Sequence, residues 1–101
     1  MASPDGRPGE PAGDVAVAEV TVRNPQGLHL RPATEFARAA LQSGCAVRVH
    51  YGASEGDGTS VLELAMMAIR PGALLRIEAR GTNCARAVAD LVALVDRDFK
   101  G

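Results

Sequence analysis

The sequence predicts an α+β fold, an open-faced β-sandwich in which a four-stranded antiparallel sheet carries three helices on one face (βαββαβα). Three observations lead there. Several short segments alternate apolar and polar residues with a period of two, as strands with one wet face do. Three other segments recur at helical spacing or are continuously apolar. Turn residues separate the two kinds in a fixed order, within 101 residues, room for one domain.

Residues 1–14, MASPDGRPGEPAGD, hold Pro, Gly and charge without apolar periodicity. Such a segment buries too little surface to offset its ordering entropy, so a disordered tail is expected over 1–14 and a folded domain over 15–101. From Val15 onward Ala18, Val20 and Val22 alternate with Glu19, Thr21 and Arg23, a first strand, broken by Asn24-Pro25-Gln26-Gly27. From Arg31 the spacing changes: Ala33, Phe36, Ala37, Ala40 and Leu41 define a helical stripe. Pro32 stands in the first turn, where a missing N–H is tolerated, and Gly44 is the C-cap candidate. Val47, Val49 and Tyr51 alternate with Arg48 and His50 to give a second strand. Residues 52–58, GASEGDG, read as turn with a short third strand inside it.

Ser60 followed by Glu63 has the capping-box spacing and starts a second helix, expected over Val61 to Ile69 and ended by Pro71-Gly72. Leu75, Ile77 and Ala79 alternate with Arg76, Glu78 and Arg80 as the last strand. Gly81-Thr82-Asn83 leads into a third helix whose inner face holds Ala87, Val88, Leu91, Val92 and Val95. A right-handed crossover through the first helix makes the first two long strands parallel, with the last strand between them.

A formal net charge of −1 argues against general binding to nucleic acid or to an anionic membrane. No apolar run reaches the roughly 18 residues of a membrane span, and no signal peptide is evident, so a cytoplasmic protein is expected. Cys45 and Cys84 have neither metal nor redox spacing and are expected to be reduced. His50 lacks a partner at metal-ligand spacing and reads as a surface side chain; no metal site and no cofactor are expected.

The chemistry concentrates in Gly27-Leu28-His29-Leu30-Arg31-Pro32-Ala33. Gly27 permits a sharp turn off the strand, and His29 then falls at or just before the helix N-terminus. There the first backbone N–H groups lack internal partners and the helix dipole is positive. Arg31 adds a guanidinium suited to phosphate oxygens. A nucleophilic imidazole beside an anion site suits phosphoryl transfer through histidine.

GLHLRPA closely resembles the active-site stretch of the HPr family, the histidine phosphocarriers of the bacterial phosphoenolpyruvate-dependent sugar phosphotransferase system. A second stretch, TSVLELAMMAIRPG (Thr59 to Gly72), resembles the family's regulatory serine and the apolar helix after it, and the likeness extends from about Ala18 to Phe99. The resemblance implies that His29 accepts a phosphoryl group on Nδ1 from phosphorylated enzyme I, that Arg31 steadies it, and that a IIA-type protein receives it during sugar uptake. It also implies that Ser60 is the site of a kinase of the HPr kinase/phosphorylase type. Leu30, Val61, Leu62 and Ala65 correspond to the docking face. The protein would be a stoichiometric carrier, not an enzyme, and a monomer. Leu30 is bulkier than the small or polar residue usual after the active histidine, and Glu63 adds negative charge to the docking face. Two alternatives share the fold: a carrier in a regulatory branch, such as nitrogen-linked control or dihydroxyacetone phosphorylation, and a binding module for carbon catabolite control acting through the Ser60 face. A pure binding module has no need of both His29 and Arg31.

Overall fold

In the computed structural model of the protein, which describes residues 14–100, strands form where the side chains alternate. β1 (Val15–Thr21), β2 (Ala46–Tyr51), β3 (Ser54–Asp57) and β4 (Leu74–Arg80) make one sheet in the order β1-β4-β2-β3. β4 is antiparallel to both β1 and β2, so these two run parallel on either side of it, as the crossover argument requires. The glycine-containing segment does form an edge strand: β3 pairs with β2 from Arg48 opposite Asp57 to Tyr51 opposite Ser54. The tail expected over residues 1–14 lies outside the described residues except for Asp14, whose carbonyl accepts the Gly81 N–H at 3.2 Å.

One face of the sheet carries α1 (Leu30–Ser43), α2 (Val61–Met66) and α3 (Cys84–Asp96). α3 lies across β1 and β4, and α1 packs against both α2 and α3. Between these layers Val47, Val49, Leu75 and Ile77 from the sheet meet Phe36, Leu64 and Leu91 from the helices, all buried. A core so poor in aromatics is filled by branched aliphatics and alanines, which allow close approach of the layers. Cys45 and Cys84 are free thiols, and both are buried.

Three details depart from the sequence reading. The α1 stripe of Pro32, Ala33, Phe36, Ala37 and Ala40 is narrow, and Leu41, on its edge in the last turn, is exposed. α2 stops at Met66 rather than Ile69; Ala68 takes a positive φ of 53° and turns the chain, so that Ile69 is buried outside the helix. His50 is not simply solvated on the outer face of the sheet. Its Nδ1 lies 3.3 Å from a Glu55 oxygen and its Nε2 3.6 Å from Glu78. Cross-strand pairing supplies both acids, which linear spacing does not reveal. The outer face also carries Arg48–Glu55 and Arg80–Glu78 ion pairs at 3.1 Å, solvent-exposed pairs that add little stability.

Candidate functional site

The turn from β1 into α1 is built around Asn24 and Gly27. The Gly27 N–H donates to the Asn24 carbonyl at 3.1 Å, and the Asn24 side-chain amide donates to the Gly27 carbonyl at 2.6 Å. Asn24 is only 8% exposed, and its Oδ1 has no hydrogen-bond partner among the described residues. Gly27 has φ 68°, and a Cβ there would overlap the Ile69 carbonyl oxygen and lie 3.2 Å from Arg70 Cα and Pro71 Cδ. The next residue uses the same carbonyl: the Leu28 N–H donates to Ile69 O at 3.0 Å. The loop after α2 is therefore tied to the backbone immediately before His29.

His29 is the N-cap of α1, extended at φ −87° and ψ −167°, and its ring makes no capping hydrogen bond. Its carbonyl accepts the Ala33 N–H at 2.9 Å, which closes the first helical turn. Pro32 has no N–H, so the His29, Leu30 and Arg31 N–H groups remain without an intrahelical acceptor at this helix start. The first turn holds no acidic residue, and the positive end of the dipole is left uncompensated locally. His29 and Arg31 open onto one cavity of about 510 Å³, which Asn24, Pro32 and Glu35 also line. Asp98, Phe99 and Lys100, beyond the end of α3, line the same cavity. The sequence reading missed these three: they follow the periodic part of the last helix, and no local pattern connects them to His29.

Ser60 stands elsewhere, at the N-cap of α2. Its Oγ accepts the Glu63 N–H at 3.2 Å, while a Glu63 carboxylate oxygen accepts the Asp57 N–H at 2.9 Å. The capping box is thus one loop wider than the reciprocal form, reaching back to Asp57 instead of Ser60. Ser60→Ala should cost about 1 kcal/mol and Ser60→Asp, which preserves an acceptor, much less; urea unfolding of both variants checks this. Asp57 Oδ1 accepts from the Thr59 hydroxyl at 2.7 Å and from its N–H at 2.9 Å. Those bonds, the side-chain one foremost, outweigh desolvation and, helped by Arg48, hold the Asp57 carboxyl below its ordinary value of 3.8. Because the folded state favours the ionised form, Asp57 contributes stability above the ordinary value and loses it as pH falls through the depressed one. Asp57→Asn should therefore flatten the decline of stability in acid, measured by unfolding at pH 6 and at about pH 3.

Of the side chains expected to dock partners, Leu30 is 66% and Leu62 69% exposed, while Val61 and Ala65 are half-buried. Met66, 74% exposed, adds a flexible apolar side chain that the sequence analysis did not single out. Among the described residues no group of three or more His, Cys, Asp or Glu side chains is placed to hold a metal ion.

Comparison with known proteins bears on this geometry. A family model described as "PTS HPr component phosphorylation site" matches residues 16–97, a span that contains His29, Arg31 and Ser60. The chain belongs to the HPr family of phosphocarrier proteins. It is 32% identical over 77 residues to the phosphocarrier protein HPr of Haemophilus influenzae, covering 76% of this chain and 91% of that one. It is also 32% identical over 87 residues to the multiphosphoryl transfer protein of Xanthomonas campestris pv. campestris, of which it spans only 10% of the length, against 85% of its own. The fold is shared with the crystal structure of HPr-C-His from Thermoanaerobacter tengcongensis, with a TM-score of 0.79 and 23% identity over 83% of this chain and 94% of that one. Among the described residues no helix is long and apolar enough to cross a membrane.

Proposed function

We propose that this HPr-family chain carries a phosphoryl group on Nδ1 of His29, taking it from phosphorylated enzyme I and passing it to a IIA-type acceptor in sugar uptake. The observation that carries this reading is an exposed histidine at a helix N-terminus whose ring is not spent on capping, beside the orphan backbone donors of the first turn and Arg31. In uptake, the imidazole lone pair forms the P–N bond as the bond from phosphorus to the donor breaks, and the donor keeps that electron pair. Transfer onward repeats the exchange in reverse, with the acceptor as nucleophile. The N–H groups and the guanidinium meet the charge on the phosphoryl oxygens, where preorganised donors are most effective. The carrier is consumed stoichiometrically and restored, so it acts as substrate and donor and not as an enzyme.

Leu30, Val61, Leu62 and Ala65 form the docking face for both partners, as one monomer meeting each in turn in the cytoplasm. Such encounters use small interfaces and rapid release. Ser60 is the regulatory position, open to a kinase of the HPr kinase/phosphorylase type. A phosphate there would add charge beside Glu63 and Asp57 on the rim of that face and repel an acidic partner. The test is intact-mass spectrometry after incubation with phosphoenolpyruvate and a bacterial enzyme I, with acid treatment to remove the P–N-linked group. A single acid-labile phosphoryl addition supports the reading; no addition with a cognate enzyme I overturns it.

A further inference from the structure

The chain beyond α3 does not trail away. The Arg97 N–H donates to Ala93 O at 3.0 Å, the Asp98 N–H to Val95 O at 3.0 Å, and the Phe99 N–H reaches back to Leu94 O at 2.8 Å. Asp98 and Phe99 adopt consecutive left-handed conformations, φ 56° and 63°, although neither is glycine. Backbone of that kind persists only where the surroundings enforce it. Here the Phe99 ring enforces it, 4% exposed within the core, and the Arg97 guanidinium Nε–H donates to Lys100 O at 3.1 Å. A second tie comes from the loop that precedes the active turn, where Arg23 lies 3.5 Å from the Asp96 carboxylate and donates to the Asp96 carbonyl at 3.3 Å. The Lys100 backbone is thereby fixed beside the cavity that His29 and Arg31 also line.

We propose that Lys100 is a second cation of the phosphohistidine site, fixed there by the Asp98–Phe99 turn, and that together with Arg31 it sets the lifetime of the phosphoryl group on His29. The inference rests on the carrier reading of His29. Besides His29, the cavity walls hold two cations, Arg31 and Lys100, and two carboxylates, Glu35 and Asp98. Glu35 is engaged with Arg38 at 3.4 Å, and Asp98 is the one carboxylate on the wall with no ion pair among the described residues. Removing Lys100 would leave the phosphoryl oxygens to Arg31 and the backbone donors, with the Asp98 carboxylate still lining the cavity. In hydrolysis a water oxygen forms a bond to phosphorus as the P–N bond breaks, and the ring keeps that electron pair and gains a proton. A nearby cation holds the phosphoryl charge in the ground state and opposes arrival of that proton, so its loss should speed the step.

The experiment uses the full chain phosphorylated chemically with phosphoramidate, which bypasses any partner protein, with His29 verified as the modified residue by peptide mass spectrometry. Decay of the phosphohistidine is followed by ³¹P NMR in wild type, Lys100→Gln and Lys100→Arg, and each variant is checked by thermal unfolding. Lys100→Gln should decay about three- to tenfold faster than wild type, Lys100→Arg should restore the slow rate, and all three should unfold alike. Equal lifetimes in wild type and Lys100→Gln overturn this inference alone. Failure of wild-type His29 to take the group from phosphoramidate and from phosphorylated enzyme I alike overturns the carrier reading and this inference with it.

Discussion

Replacing His29 by alanine should abolish phosphoryl uptake from phosphorylated enzyme I while leaving the fold in place. The two halves of this expectation have separate causes. Uptake needs a lone pair at the one position that also faces Arg31 and the free N–H groups of α1. Alanine supplies none, so the loss is complete rather than graded. The remaining histidine, His50, is an internal control: it lies on the outer face of the sheet between Glu55 and Glu78, whose charges repel a phosphoryl donor. Stability is spared because His29 is exposed and its ring caps nothing, so His29→Ala should stay within about 0.5 kcal/mol of wild type. Intact-mass spectrometry and urea unfolding of the same preparation check both halves. Acid-labile phosphate on the variant would remove His29 from its proposed role.

Gly27→Ala is expected to act in the opposite way, through the fold first and the chemistry second. A left-handed φ of 68° alone costs a non-glycine residue about 1–2 kcal/mol. The added methyl also overlaps the Ile69 carbonyl, which already accepts the Leu28 N–H, so relieving the clash means breaking that hydrogen bond. A total of about 3 kcal/mol follows, roughly half of it specific to this contact. Gly44→Ala makes the comparison sharp. It has φ 74°, caps α1 at the other end, and has nothing within 4 Å of its Cβ position, so it should lose only the conformational part. Denaturant midpoints of the two variants measure the difference. Phosphoryl uptake, read per folded molecule, should fall in Gly27→Ala, because the displaced turn carries His29 with it, and stay normal in Gly44→Ala. Equal destabilisation of the two would mean that the β1–α1 turn is not braced against Ile69.

Much of this architecture is legible in the linear pattern, and the exceptions share a cause. β1, β2 and β4 announce themselves because a sheet with one wet face makes each strand record its own orientation. The crossover order follows from handedness, and the turn at Gly27 from its position between a strand and a helix. The end of α2 is not legible: from Val61 to Ile69 nearly every residue is apolar, and the turn is made by Ala68 in a left-handed conformation, a residue that gives no local warning. The exposure of Leu41 and the acids around His50 are set by neighbours distant along the chain. The candidate site divides in the same way. His29 and Arg31 stand in one motif, whereas Asp98, Phe99 and Lys100 reach the same cavity only because α3 packs against α1. Asn24, buried with its Oδ1 unpartnered among the described residues, looks in sequence like an ordinary turn residue.

The position of β4 in the sheet governs how the protein can be made. Every strand pairing except that of β2 with β3 requires β4, which comes after all the other strands in the chain. While Leu74–Arg80 is still inside the ribosome's exit tunnel, the only sheet available to the emerging chain is the β2–β3 hairpin, and an isolated two-stranded ribbon is marginal in water. Val20, Phe36 and Val49 then have no second layer to cover them, and the partners of β1, from Val15 opposite Arg80 onward, have yet to be synthesised. Folding during translation is therefore held back until nearly the whole domain has emerged, and the nascent chain exposes apolar surface for most of its synthesis.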